Sequence, residues 1–148
     1  MPYQGFIEPN AERLDDFIRA VVTVLAREQA RLALWLIEEF TFNHRLAATT
    51  IIGTASPFPS SGSKLAGVGY LMPIQSDTVA ALVAVLICED QLDCYIMHLE
   101  IEVAGNIAIA AYDTFSCVFF NAPITLAFLE DLRQQAIIDN YGLCEPSG

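Results

Sequence analysis

Lysine is nearly missing from this chain: Lys64 stands alone beside six arginines, and neither residue type occurs between Leu65 and Leu132. That stretch holds Asp77, Glu89, Asp90, Asp93, Glu100, Glu102, Asp113, Glu130 and Asp131. A phosphate backbone would meet only like charge there, which argues against nucleic acid as a partner. Over the whole chain eighteen acids against seven bases give a formal net charge of -11. A basic protein surface is drawn to such a field. An acidic excess also keeps an apolar chain in solution, so the charge narrows the class of partner without naming one.

Long hydrophobic runs are missing as well. No uninterrupted apolar stretch approaches the roughly 18 residues of a membrane span, and the uncharged residues 46–63 are broken by proline, serine and glycine. The opening "MPYQGFIEPN" lacks the basic and then apolar order of a secretory signal. Cys88, Cys94, Cys117 and Cys144 form no C-x-x-C pair. These absences predict a cytoplasmic protein with reduced thiols, no membrane contact, no bound metal and no cofactor. Cys117, among Phe115, Val118, Phe119 and Phe120, is expected to be buried. G-x-S-x-G, H-E-x-x-H, Walker and dinucleotide-binding patterns are absent too, so no familiar catalytic motif assigns a reaction.

Apolar residues, by contrast, are plentiful: 54% of the 148 residues are hydrophobic and 17% charged. That is enough for one domain over residues 1–148 with a sizeable core. Asn10 is placed to cap a helix in which Leu14, Phe17, Ile18, Val21, Val22 and Leu25 recur at helical spacing. The spacing resumes at Leu32, Trp35, Leu36 and Phe40, predicting one long helix, or two with a bend near Gln29, to about Phe42. Strands are predicted near residues 49–52 and over 65–74, 94–104 and 107–120, and residues 78–88, apolar on both faces, are read as a central strand on their valine content and length, with a buried helix capped by Asp77 as the alternative. The serine- and proline-rich residues 56–64 form a loop exposing Phe58. Gly67 and Gly69 mark a close approach by another element. Pro123 opens a final helix that Gly142 ends. The predicted fold is α+β: a long N-terminal helix, an antiparallel meander of about five strands, and a C-terminal helix packed on one sheet face.

The stretch "YIMHLEIEV", residues 95–103, carries the candidate site. Alternation on a strand puts Met97, Leu99, Ile101 and Val103 on one face and His98, Glu100 and Glu102 on the other. The second set is expected to face water or a ligand. A hairpin turning at Gly105-Asn106 would place Glu102 opposite Ile109, Glu100 opposite Ala111 and His98 opposite Asp113. His98 with Asp113 and Glu100 is then the candidate acid–base group. A strand rises about 3.3 Å per residue, so His98 and Glu102 lie too far apart to share one metal ion.

The leading expectation is a small acidic protein-binding module, of the immunity-, inhibitor- or chaperone-like kind. Glu89, Asp90, Asp93, Glu100 and Glu102 would steer a basic or apolar protein partner. The alternatives are a compact enzyme built on the His/carboxylate pair and a structural homodimer.

Overall fold

Asn10 ends the first strand and begins the first helix. Its side chain accepts the N–H of Glu12 at 3.0 Å, capping a short turn at Ala11–Arg13 that runs straight into the helix. The computed structural model describes residues 3–27, 29–37, 50–53, 55–58, 69–87 and 92–144. In chain order its elements are β1 (Gly5–Pro9), α1 (Leu14–Leu25), β2 (Ala30–Leu36), β3 (Thr50–Ile52), β4 (Gly69–Ile74), α2 (Val79–Leu86), β5 (Ile96–Val103), β6 (Asn106–Tyr112), β7 (Cys117–Phe120), α3 (Leu126–Gln134) and β8 (Ile138–Leu143). The strands form one antiparallel sheet in the order β3-β4-β2-β5-β6-β7-β1-β8.

The architecture is therefore helix plus sheet, but the predicted five-stranded meander with a long N-terminal helix is overturned by the eight-stranded sheet and three short helices found among the described residues. The apolar stripe expected on α1 is the stripe that is buried, from Leu14 to Leu25. The helix then stops at Ala26, and residues 30–36 form a strand paired on both sides, with β4 and β5. A central strand covered on both faces is apolar throughout. Leu32, Trp35 and Leu36 therefore mimic helical spacing.

The opposite error falls on residues 78–88, where the expected strand is α2. Leu82, Val83, Val85 and Leu86 pack inward while Ala80, Ala81 and Ala84 face out. Three alanines favour helix more than the valines oppose it. At the C-terminal end Thr125, not Pro123, caps α3, accepting the N–H of Phe128 at 3.1 Å. Gly142 lies inside β8 rather than ending a helix: opposite Phe6, it leaves room for a ring that would stand 2.7 Å from a Cβ. Gly69 meets its expectation of close approach, since a Cβ there would lie 2.6 Å from the Trp35 indole nitrogen. Gly67 is outside the described residues.

One face of the sheet holds the larger core, where Leu32, Leu34, Leu99 and Ile101 meet Phe17, Val21 and Leu86 of the helices. The other face carries a second, smaller cluster of Tyr3, Ala33, Trp35, Phe58, Ile107 and Ala110. Phe58, expected to be exposed, is 1% exposed, because residues 55–58 lie across this second face. Cys117, expected to be buried, is exposed at the start of β7. Among the described residues, no helix is long and apolar enough to cross a membrane.

Candidate functional site

The hairpin between β5 and β6 sets the register of the candidate site. Its two turn residues are Ala104 and Gly105, both left-handed at φ 51° and 90°, and Val103 pairs with Asn106. This is one residue earlier than the predicted turn. Ala108 is then extra, so Glu102 pairs with Ile107 while Ile101 pairs with Ile109. Glu100 consequently faces Ala110 instead of Ala111, and Asp113 is not carried opposite His98 on the ladder.

The opposite neighbours on β2 complete the arrangement: Arg31 pairs with Glu102, Ala33 with Glu100 and Trp35 with His98. Glu100 thus lies between two alanines, Ala33 and Ala110, whose small side chains leave space above it. That space is filled. Ser56 Oγ donates to Glu100 Oε1 at 2.5 Å, and Tyr112 OH donates to Glu100 Oε2 at 2.6 Å. Tyr3 OH lies 3.1 Å from Tyr112 OH. With the Tyr112 proton directed at Glu100, Tyr3 is the donor of that pair. Burial pushes the Tyr3 phenol above its ordinary value, which keeps it a neutral donor. The Tyr3 ring stacks on Phe119 at 4.9 Å and 7°.

The polar side of "YIMHLEIEV" is accordingly covered and not washed by solvent: Glu100 is 0% exposed, Glu102 7% and His98 9%. A buried carboxyl group costs several kcal/mol unless bonded. Among the described residues no buried side-chain nitrogen or oxygen lacks a partner. Glu102 takes Arg31 at 2.9 Å, and the same guanidinium lies 5.3 Å from the centroid of Phe58. The charged residues therefore fasten residues 55–58 and Tyr3 onto the sheet.

His98 and Asp113 do meet, through the backbone: the Asp113 N–H donates to His98 Nδ1 at 3.2 Å. Asp113 has φ 53° in the turn after β6, and its exposed side chain makes no ion pair among the described residues. Accepting at Nδ1 assigns the ring proton of the neutral imidazole to Nε2. Burial lowers the His98 pKa below its ordinary 6.5, against the opposing pull of Asp113 and Glu100. His98, Glu100 and Asp113 are thus neighbours, with one ring nitrogen and both Glu100 oxygens engaged. Among the described residues, no cluster of three or more potential metal ligands occurs.

Of the acids expected to steer a partner, Asp93 is half-buried in the turn Leu92–Cys94, just before β5. Glu89 and Asp90 lie outside the described residues, and Glu100 and Glu102 are buried. The residues that complete the network, Tyr3, Ser56 and Tyr112, were missed by sequence reasoning. The available signal was β2: with Ala33 and Trp35 on one face and Leu32 and Leu34 on the other, its sheet had to be covered on both sides. The chain matches no protein-family model, no curated protein and no solved structure.

Proposed function

We propose that this protein is an acidic binding module for a basic protein partner. One observation carries the reading. Arg13, Arg19, Arg31 and Arg133 each pair with a carboxylate, whereas exposed Glu8, Glu12, Asp15, Asp77, Asp113, Asp131 and Asp139 make no ion pair among the described residues. Four of the five arginines in the described residues are paired in this way, and the surplus negative charge is presented to solvent. Such a surface steers an oppositely charged partner and sets its association rate.

Asp93 and Asp113 lie at one end of the sheet, because β5 begins where its antiparallel neighbour β6 ends. They are the proposed steering residues, together with Glu89 and Asp90, which precede Asp93 in sequence. Glu100 and Glu102 act beneath this surface by fixing residues 55–58. The closed bonding of Glu100 offers a substrate no free oxygen, which weighs for binding over catalysis. A cytoplasmic setting is part of the same proposal.

A second reading, the homodimer, draws on the sheet edges. Among the described residues β3 and β8 are the outer strands, and each exposes a large apolar side chain, Ile51 at 60% and Leu143 at 57%.

The test is native mass spectrometry of the tagged protein purified from its own host at low salt. A stoichiometric basic protein that dissociates as salt rises is the expected result. Asp93→Lys with Asp113→Lys should then slow its association about tenfold or more. Recovery without a basic protein, or a partner indifferent to salt and to both reversals, would overturn the binding reading. Sedimentation at two concentrations reads the homodimer directly.

A further inference from the structure

On the helix side of the sheet, α1 and α2 enclose a groove of about 720 Å³. This lies within the roughly 300–1,000 Å³ of small-molecule sites. One wall is aliphatic, with Val83 and Ala84 of α2 and Ile87 just past its end, and Ala84 is the smallest of the three. The other wall carries Arg19 and Thr23 of α1, one turn apart, and Arg27 just past the end of that helix. Two of the five arginines in the described residues therefore line one groove, and no acid among those residues lines it. On a chain of net charge -11 this is a local reversal of sign.

The two arginines are not equivalent. Arg19 shares Asp16 with Arg13, at 3.4 Å and 2.9 Å. Arg27 makes no ion pair among the described residues. Among the described residues the groove thus offers one arginine without an ion pair beside an aliphatic wall, a combination complementary to a molecule with one anionic head and one apolar chain.

We propose that this groove binds a linear aliphatic carboxylate, with its chain along Val83, Ala84 and Ile87 and its head group on Arg27. The site is independent of the acidic surface argued above, and either can fail without the other. Transfer of the chain from water supplies the affinity, and the guanidinium–carboxylate bond selects the acid over a neutral amphiphile.

The probe is dodecanoate, titrated calorimetrically below its micelle concentration into the delipidated full chain, with native mass spectrometry for stoichiometry. One dodecanoate per chain is expected. Dodecanol should bind about tenfold more weakly, and Arg27→Gln should lose about the same factor for dodecanoate. Ala84→Trp should abolish binding by filling the groove that Ala84 lines. Arg27 is exposed and lies beyond the end of α1, so its substitution tests the head-group contact without repacking the core. Failure of the wild-type chain to saturate would overturn the proposal, as would equal affinity of Arg27→Gln and wild type. So would a dimer that Ala84→Trp splits in the absence of any dodecanoate binding, which would assign the groove to a second copy. An acidic amphipathic peptide that binds where dodecanoate does not would assign it to a partner helix and overturn the proposal equally.

Discussion

Tyr112 donates to Glu100 across 2.6 Å on the sheet face that the helices do not cover. Ser56 reaches the other oxygen of the same carboxyl group, from a residue 44 positions away in sequence. One buried acid therefore ties three separate parts of the chain together. Tyr112→Phe should lower the unfolding free energy by about 1.5–3 kcal/mol, the range for a hydrogen bond to a charged group. Tyr3→Phe, which removes an outer member of the chain of bonds, should cost about 0.5–1.5 kcal/mol. Urea unfolding followed by fluorescence of Trp35, the one tryptophan and fully buried, measures both. Equal, negligible effects would show that the network is ornamental to stability.

The β5–β6 hairpin is built with a misfit residue. Ala104 is held at φ 51° beside Gly105 at φ 90°. An L-residue with a Cβ loses roughly 1–2 kcal/mol in that region, whereas asparagine followed by glycine is the favoured pair for this turn. Ala104 is exposed and contributes nothing to the core. Ala104→Asn should therefore stabilise the protein by about 1 kcal/mol, read as a higher urea midpoint at unchanged slope. A lower midpoint would contradict the turn geometry.

How much of this was legible in the sequence depended on how many faces of an element are covered. α1 has one buried face, and its stripe could be read residue by residue. β2 and α2 are apolar on more than one side, so period distinguishes helix from strand poorly in both, and each was assigned to the other class. The hairpin was legible from Gly105, but neither the start of its turn at Ala104 nor the extra residue at Ala108 was, and together they put Tyr112 in place of Asp113 beside His98. His98, Glu100 and Glu102 were correctly grouped on one face by alternation. Their burial depended on Tyr3 and Ser56, contacts made across 109 and 44 residues that no local pattern encodes.

His98 should titrate below its ordinary 6.5, because burial disfavours the imidazolium more than Asp113 and Glu100 favour it. The unfolded chain then binds the extra proton first, so this residue's contribution to stability is complete above pH 6.5 and declines as pH falls below it. Nitrogen NMR should show the proton on Nε2 in the neutral form, since Nδ1 accepts the Asp113 N–H. Asp113→Asn, which keeps that N–H and removes the charge, should move the midpoint lower still. A midpoint above 6.5, or a neutral ring protonated at Nδ1, is incompatible with this geometry.

Glu130 makes the opposite case, a carboxylate at the surface whose partners favour its charge. Arg133 bonds it through two nitrogens at 2.8 Å and 2.6 Å, Gln134 donates at 3.1 Å, and Tyr141 of β8 donates at 3.0 Å. These bonds, with the Arg133 hydrogen bond the largest cause, hold its pKa at about 2 against an ordinary 4.5. A lowered carboxylate pKa means that the unfolded state takes up the proton first. The stabilisation is present above pH 4.5 and is lost as pH falls towards about 2. Because the Tyr141 bond joins α3 to β8, the loss should loosen the outer edge of the sheet. Glu130→Gln removes the titration, so the difference in Tm between wild type and variant should be steady above pH 4.5 and shrink between pH 4.5 and 2. Added salt should narrow the same difference at neutral pH, since the pair is partly exposed. A difference that stays constant through the acid range would show that these bonds do not discriminate the ionised from the protonated group.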